Sequence, residues 1–153
     1  MSLSVPAKFA RLFLRNYVRP FVLHGPHHPA VMRAGIAYSM GLIPKPFNMT
    51  TRRLTIGDVP VVETRPPSPC DDAVIFYIHG GGYVVGSPQT HQAFISRLAN
   101  ATECVVWSPD YRLAPEHPFP AGLEDTVIAW QAFASCFAGK KLYIAGESAG
   151  GGM

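Results

Sequence analysis

The first 57 residues contain no aspartate and no glutamate, although Lys8, Arg11, Arg15, Arg19, Arg33, Lys45, Arg52 and Arg53 all fall there. All ten acidic residues of the 153-residue chain lie downstream, so the net charge of +3 conceals a basic leading segment. Charge is sparse, at 15% of residues against 48% hydrophobic, the composition of a globular protein with a large apolar interior. No uninterrupted apolar run approaches the roughly 20 residues of a membrane span. No C-x-x-C pair occurs, and Cys70, Cys104 and Cys136 are an odd number. That argues against a disulfide framework and against a zinc site, and makes a reducing, cytoplasmic compartment the expectation. Cys104 lies in a strand-like run and Cys136 on an apolar helix, so both read as small core hydrophobes.

Fifteen prolines and fourteen glycines alternate with strongly apolar runs, which implies many loops rather than disorder. Val5 to Val22 is helical in pattern: Phe9, Leu12, Phe13 and Tyr17 fall on one side, with Lys8, Arg11, Arg15 and Arg19 on another. Arginines interrupt its apolar region, which argues against a signal peptide. A docked helix, an interfacial membrane helix and an acid-poor transit peptide all fit; one aromatic stripe favours docking. Residues 24–50 carry no clear pattern. His27-His28 lie there without a carboxylate nearby and are read as solvated rather than metal-binding. Arg52 to Thr64 predicts a hairpin around Gly57-Asp58. Then follow a buried strand Ala73–Ile78, a helix around Thr90–Asn100, a strand Cys104–Trp107, a proline-punctuated loop Ser108–Pro120, a helix Gly122–Phe137 and a strand Lys141–Ala145. Strands alternating with helices indicate a mostly parallel sheet with helices on both faces, an α/β fold. Ligands in such sheets bind outside the carboxyl ends of the strands.

Two motifs lie at those ends. Gly146-Glu147-Ser148-Ala149-Gly150 is a G-x-S-x-G turn after the strand Leu142–Ala145, the arrangement by which an α/β-hydrolase fold exposes a nucleophilic serine. Gly146 and Gly150 are needed there because a Cβ would crowd the neighbouring strand and helix. His79-Gly80-Gly81-Gly82 is the kind of loop whose backbone N–H groups form an oxyanion hole. A phosphate loop is disfavoured, since no G-K-[ST] follows. His79 precedes the serine and is expected to fix the loop rather than act as base, because the triad runs Ser, acid, His in this fold. His117 is structural by the same logic. After Ser148 come only Ala149, Gly150, Gly151, Gly152 and Met153, none able to serve as acid or base, and three glycines disfavour a buttressing helix.

His79-Gly80-Gly81-Gly82-Tyr83, the stretch from Asp110 to Ala121 and Gly146 to Gly151 together resemble the bacterial hormone-sensitive-lipase-like esterases, over about residues 70–153. The resemblance implies an α/β-hydrolase with an N-terminal helical cap, acting mainly on short-chain acyl esters. It carries the nucleophile onto Ser148, the oxyanion donors onto Gly81, Gly82 and Ala149, and the substrate pocket onto Tyr83. It also implies that the Asp110–Ala121 stretch is a buried scaffold with Asp110, Arg112 and Glu116 as internal ion-pair partners. Departures are Glu147 where Asp is more usual, Gln89 and Gln92 in a loop that often carries acids, and Gly152 where Asn is frequent.

The expected organisation is a cap segment at residues 1–50 and, at 51–153, the N-terminal half of a hydrolase core that is incomplete in this chain. The expected activity is a serine carboxylesterase once the remaining half, with its acid and histidine, is present, using no metal and no cofactor. A small-molecule acyl ester is the expected partner. Nucleic acid and membrane are not, and any oligomer would form through the remaining half. A non-catalytic small-ligand receptor on the same fold is the alternative, as is an inactive fragment.

Overall fold

A computed structural model describes residues 4–13, 15–16 and 28–153. Strands β1 (Thr50–Ile56), β2 (Val59–Arg65), β3 (Ala73–Ile78), β4 (Val105–Pro109) and β5 (Lys141–Gly146) form one sheet in the order β1-β2-β4-β3-β5. Helices α1 (Val5–Phe13), α2 (Pro29–Gly41), α3 (Gln92–Thr102), α4 (Ala121–Cys136) and a single turn α5 (Ala149–Gly152) complete the described chain. None of the described helices is long and apolar enough to cross a membrane.

The sheet is mixed, which corrects the expectation of a mostly parallel one. β3 pairs in parallel with β4 and with β5, whereas β1 with β2 and β2 with β4 are antiparallel. Strand–helix alternation fixes only the crossovers through α3 and α4. The hairpin at Gly57-Asp58 joins the same sheet and brings two antiparallel pairings with it.

Both faces of the sheet are covered by helices. Every residue of β3 is buried, and its side chains alternate between the faces as strand geometry requires. Val74, Phe76 and Ile78 pack with Val61, Trp107 and the α4 residues Ala129 and Phe133. Ala73, Ile75 and Tyr77 pack with Val106, Cys104 and the α3 residues Ile95 and Ala99. Phe76 meets Phe133 at 5.3 Å and Trp130 at 5.6 Å between ring centroids. Burying such a ring contributes ~1.5–3 kcal/mol, so β3 is the strand on which both layers rest. β5 is less covered: Tyr143 and Ile144 are exposed, and its outer edge pairs with no strand among the described residues.

One polar row crosses this sheet. Arg52 on β1, Glu63 on β2 and Trp107 on β4 are successive cross-strand partners. Trp107 Nε1 donates to Glu63 Oε2 at 2.9 Å, and Arg52 and Arg65 each approach the other carboxylate oxygen to 3.4 Å. The Glu63 carboxylate is thereby buried with partners on three sides.

α2 arises where the sequence carries no clear pattern. Pro29 occupies its first turn, a position where the missing N–H costs nothing, but no residue of α2 is buried. Of the expected Val5–Val22 helix, Val5–Phe13 is helical. Tyr17, and the side chains of Phe9 and Phe13, lie outside the described set, as does His27; Leu12 is exposed. Residues 149–152 do form one helical turn despite their glycines, contrary to expectation. Backbone bonds close it: Gly151 N–H donates to Ser148 O at 3.0 Å and Met153 N–H to Ala149 O at 3.2 Å. Cys104 is buried as expected, but Cys136 is exposed at the end of α4. Cys70 Sγ lies 3.5 Å from Cys104 Sγ, both as free thiols.

Candidate active site

The carboxyl ends of β3 and β5 bring the two glycine motifs together. β5 ends at Gly146, and the chain turns through Glu147 and Ser148 into α5. Ser148 holds φ 49° and ψ −120°, a conformation that costs a non-glycine residue ~1–3 kcal/mol and persists only where the surroundings enforce it. Here they do. A Cβ on Gly146 would come within 2.6 Å of the Gly150 carbonyl carbon, and one on Gly150 within 2.7 Å of His79 O. The turn is therefore pressed between its own helix and the end of β3, and the serine side chain is driven outward. Ser148 is exposed, and its Oγ makes no hydrogen bond among the described residues.

The glycine loop lies directly against this turn. A Cβ on Gly80 would stand 2.8 Å from Glu147 O and 3.2 Å from Ser148 Cβ. Gly81 and Gly82 have φ of 125° and 61°, and Val84 and Val85 N–H both bond Gly81 O, at 3.2 and 3.0 Å. Among the described residues, the N–H groups of Gly81, Gly82 and Ala149 donate to no protein acceptor. Gly81 and Ala149 are half-buried and Gly82 is exposed, so these three N–H groups stay open to an incoming acceptor, the kind of donor set an oxyanion hole is built from.

Glu147, beside the serine, accepts from two directions. His91 Nε2 lies 2.7 Å from its Oε1, and Gly80 N–H donates to the same oxygen at 3.3 Å. His91 is fixed in turn through Nδ1, 3.0 Å from Ser87 O. Glu147 and His91 thus tie the elbow to the loop, a pairing that nothing in their sequence spacing signals.

His79 is completely buried. Its Nδ1–H donates to Gly80 O at 2.8 Å, and its ring stacks on Tyr111 at 4.2 Å. Burial pushes its pKa down to about 4, which keeps it neutral at physiological pH. Its Nε2 has no partner among the described residues. An enclosed ring bonded to its own loop is a brace, in keeping with the reading of His79 as structural. Tyr111 completes the brace by donating to His79 O at 2.8 Å; burial raises its phenol above the ordinary value.

The Asp110–Ala121 stretch departs from the expected buried scaffold. Tyr111 is buried, but residues 115–120 are exposed. Arg112 pairs with Asp125, its NH2 2.7 Å from Oδ1. Asp110 forms no ion pair among the described residues; burial raises its carboxyl pKa. Glu116 pairs outward with Arg33 of α2 at 2.7 Å, and the hydrogen bond from that guanidinium holds its carboxyl down at about 2. The acid-free leading segment thus meets a carboxylate across the fold, and that charge asymmetry is the one sequence signal pointing to Arg33.

A cavity of about 380 Å³ opens beside the elbow, lined by Gly82, Tyr83, Ala114, Phe119, Leu123 and Met153 among others. Tyr83 thus lines a cavity whose wall includes Gly152 and Met153 at the end of the elbow helix but not Ser148. The Tyr83 hydroxyl sits over α5, where a Cβ on Gly152 would approach it to 2.9 Å.

Comparison with known proteins agrees with this geometry. Residues 75–153 match a family model described as the alpha/beta hydrolase fold. The chain is 38% identical over 102 residues to an acetyl-hydrolase of Streptomyces hygroscopicus, covering 65% of this chain and 33% of that protein. It is equally identical over 102 residues to the carboxylesterase NlhH of Mycobacterium tuberculosis, covering 63% of this chain and 32% of the relative. A crystal structure of a hormone-sensitive lipase from a metagenome library superposes with a TM-score of 0.85 at 33% identity, over 99% of this chain and 50% of the other. The chain spans about a third of the length of these curated relatives and half that of the solved structure. Fold, elbow and glycine loop lead to one assignment: the chain belongs to the α/β-hydrolase family, in its bacterial hormone-sensitive-lipase-like esterase group.

Proposed function

We propose that the full-length protein is a serine carboxylesterase that hydrolyses short-chain acyl esters through an acyl-enzyme. Ser148 Oγ attacks the acyl carbonyl, and its proton passes to a histidine base supplied from outside residues 1–153, since acid and histidine follow the serine in this fold. The carbonyl oxygen becomes anionic and accepts from the N–H groups of Gly81, Gly82 and Ala149. The ester C–O bond then breaks, and the alcohol leaves with the proton. Water attacks the acyl-enzyme by the reverse proton path, releasing the carboxylic acid and restoring Ser148.

The observation that carries this reading is the strained Ser148 on its turn, next to three unspent N–H donors. Each such donor is worth ~3–4 kcal/mol to the transition state in a preorganised site. Tyr83 and the adjoining cavity would take part of the substrate. Residues 1–50 serve as the cap segment, tied to the loop through Arg33.

The test is p-nitrophenyl acetate turnover by the full-length protein beside Ser148→Ala. Turnover should fall by about 10⁴-fold or more, and a fluorophosphonate probe should label Ser148 alone. Saturable ligand binding with neither turnover nor label would favour the receptor reading instead.

A further inference from the structure

Arg33 is the side chain by which α2 reaches the site. Its Nε–H donates to Val84 O at 2.8 Å, and one NH2 hydrogen donates to Ala114 O at 2.9 Å. The remaining bonds form a fork on Glu116, NH1 to Oε1 at 2.8 Å and NH2 to Oε2 at 2.7 Å. Four of the five guanidinium donors are therefore used, on three residues belonging to two separate loops. α2 buries no residue, so apolar packing does not account for this placement. Arg97, which donates to Pro44 O at 2.7 Å, anchors the same leading segment further along.

The acceptors are informative. Val84 ends the turn whose N–H bonds Gly81 O, and Ala114 N–H donates to Tyr83 O at 2.8 Å. The guanidinium therefore clamps the far end of the glycine turn onto Ala114. The near end is already fixed by Gly80 against the elbow. Gly81 and Gly82 lie between these two fixed points. We propose that Arg33 is a positioning residue for the oxyanion loop, holding the Val84 carbonyl so that the Gly81 and Gly82 N–H groups keep their aim. This role rests on the esterase reading for its catalytic consequence but not for its structural one.

A lysine at this position keeps the charge facing Glu116 but lacks the planar fork that reaches three acceptors at once. In the full-length protein, Arg33→Lys should lower kcat for p-nitrophenyl acetate about tenfold, with KM within about threefold, because the lost aim matters mainly in the transition state. Hydrogen exchange at the Val84 and Val85 amides should quicken, while Tm stays near the wild-type value. Glu116→Gln, which leaves the Val84 and Ala114 bonds in place, should retain kcat within about threefold. Wild-type kcat and exchange in Arg33→Lys would overturn the proposal. So would an equal fall in Glu116→Gln without faster loop exchange, since Arg33 would then be a plain anchor. If the wild type shows no Ser148-dependent turnover, the esterase reading fails while the exchange difference still decides the clamp.

Discussion

Gly150 of the elbow and Gly82 of the glycine loop are required for different physical reasons. At the elbow, Gly150 stands where any side chain would strike the carbonyls of Ile78 and His79; the constraint is volume. In the loop, Gly82 faces open space, with no atom within 4 Å of the place a methyl would take, yet holds φ at 61°; the constraint is conformation. A crowded position cannot relax without moving the backbone it meets, and the loop has such positions at Gly80 and Gly81, where a Cβ would strike Glu147 O and Val85 O. Its open tip at Gly82 has no such wall and must be held from outside. Arg33, His79 and Glu147 are the groups that hold it.

Substitutions should separate the two cases. Gly150→Ala is expected to destabilise the fold by about 3 kcal/mol or more, because the new methyl meets fixed backbone rather than a mobile side chain. Chemical denaturation measures it, and a wild-type midpoint would show that the elbow has room for a methyl at Gly150. Next comes the brace beneath the loop. His79 titrates near 6.5 when unfolded and near 4 when folded, so the unfolded chain binds the extra proton between those values. Its contribution is fully present above pH 6.5, declines as pH falls, and is lost below about 4, in total on the order of 3 kcal/mol. Stability measured from about pH 7.5 to 4 should show that slope, and His79→Gln should lack it; equal slopes would remove His79 from the account. The smallest effect belongs to Gly82→Ala. The left-handed conformation costs an alanine roughly 1 kcal/mol, so the fold should survive. In the full-length protein kcat should drop more than KM rises, as the N–H is retained but its direction is strained. A pure KM effect would assign Gly82 to ground-state binding.

Much of this arrangement is legible in the sequence because it depends on local pattern. β3 and β4 are short, β-branched or aromatic apolar runs, and the glycines at 146 and 150 announce a close approach of backbones. Pairing partners are not local: whether β2 joins β4, and in which direction, depends on where the hairpin can bury Val59 and Val61. α2 is not legible because its helix carries no apolar stripe to bury. The Glu147–His91 pair is hidden because 56 positions separate residues that meet only when β5 comes to lie beside β3. Cys136 reads as core because α4 is apolar nearly all round, and only packing decides which side turns inward.

The row Arg52–Glu63–Trp107 has a consequence for how the chain avoids misfolding. Strand side chains alternate faces, so sliding β2 by one residue would carry Glu63 to the opposite side of the sheet. There it would face the Ile75, Tyr77 and Val106 cluster, without Trp107 Nε1 to accept from. A carboxylate stranded among apolar side chains costs several kcal/mol or must take up a proton. Flanking valines would tolerate either face. One charged residue therefore acts as a proofreader of alignment, penalising the off-by-one sheet while costing the correct one little. It does so on β2, with β4 and β3 standing between it and the strand that leads to Ser148.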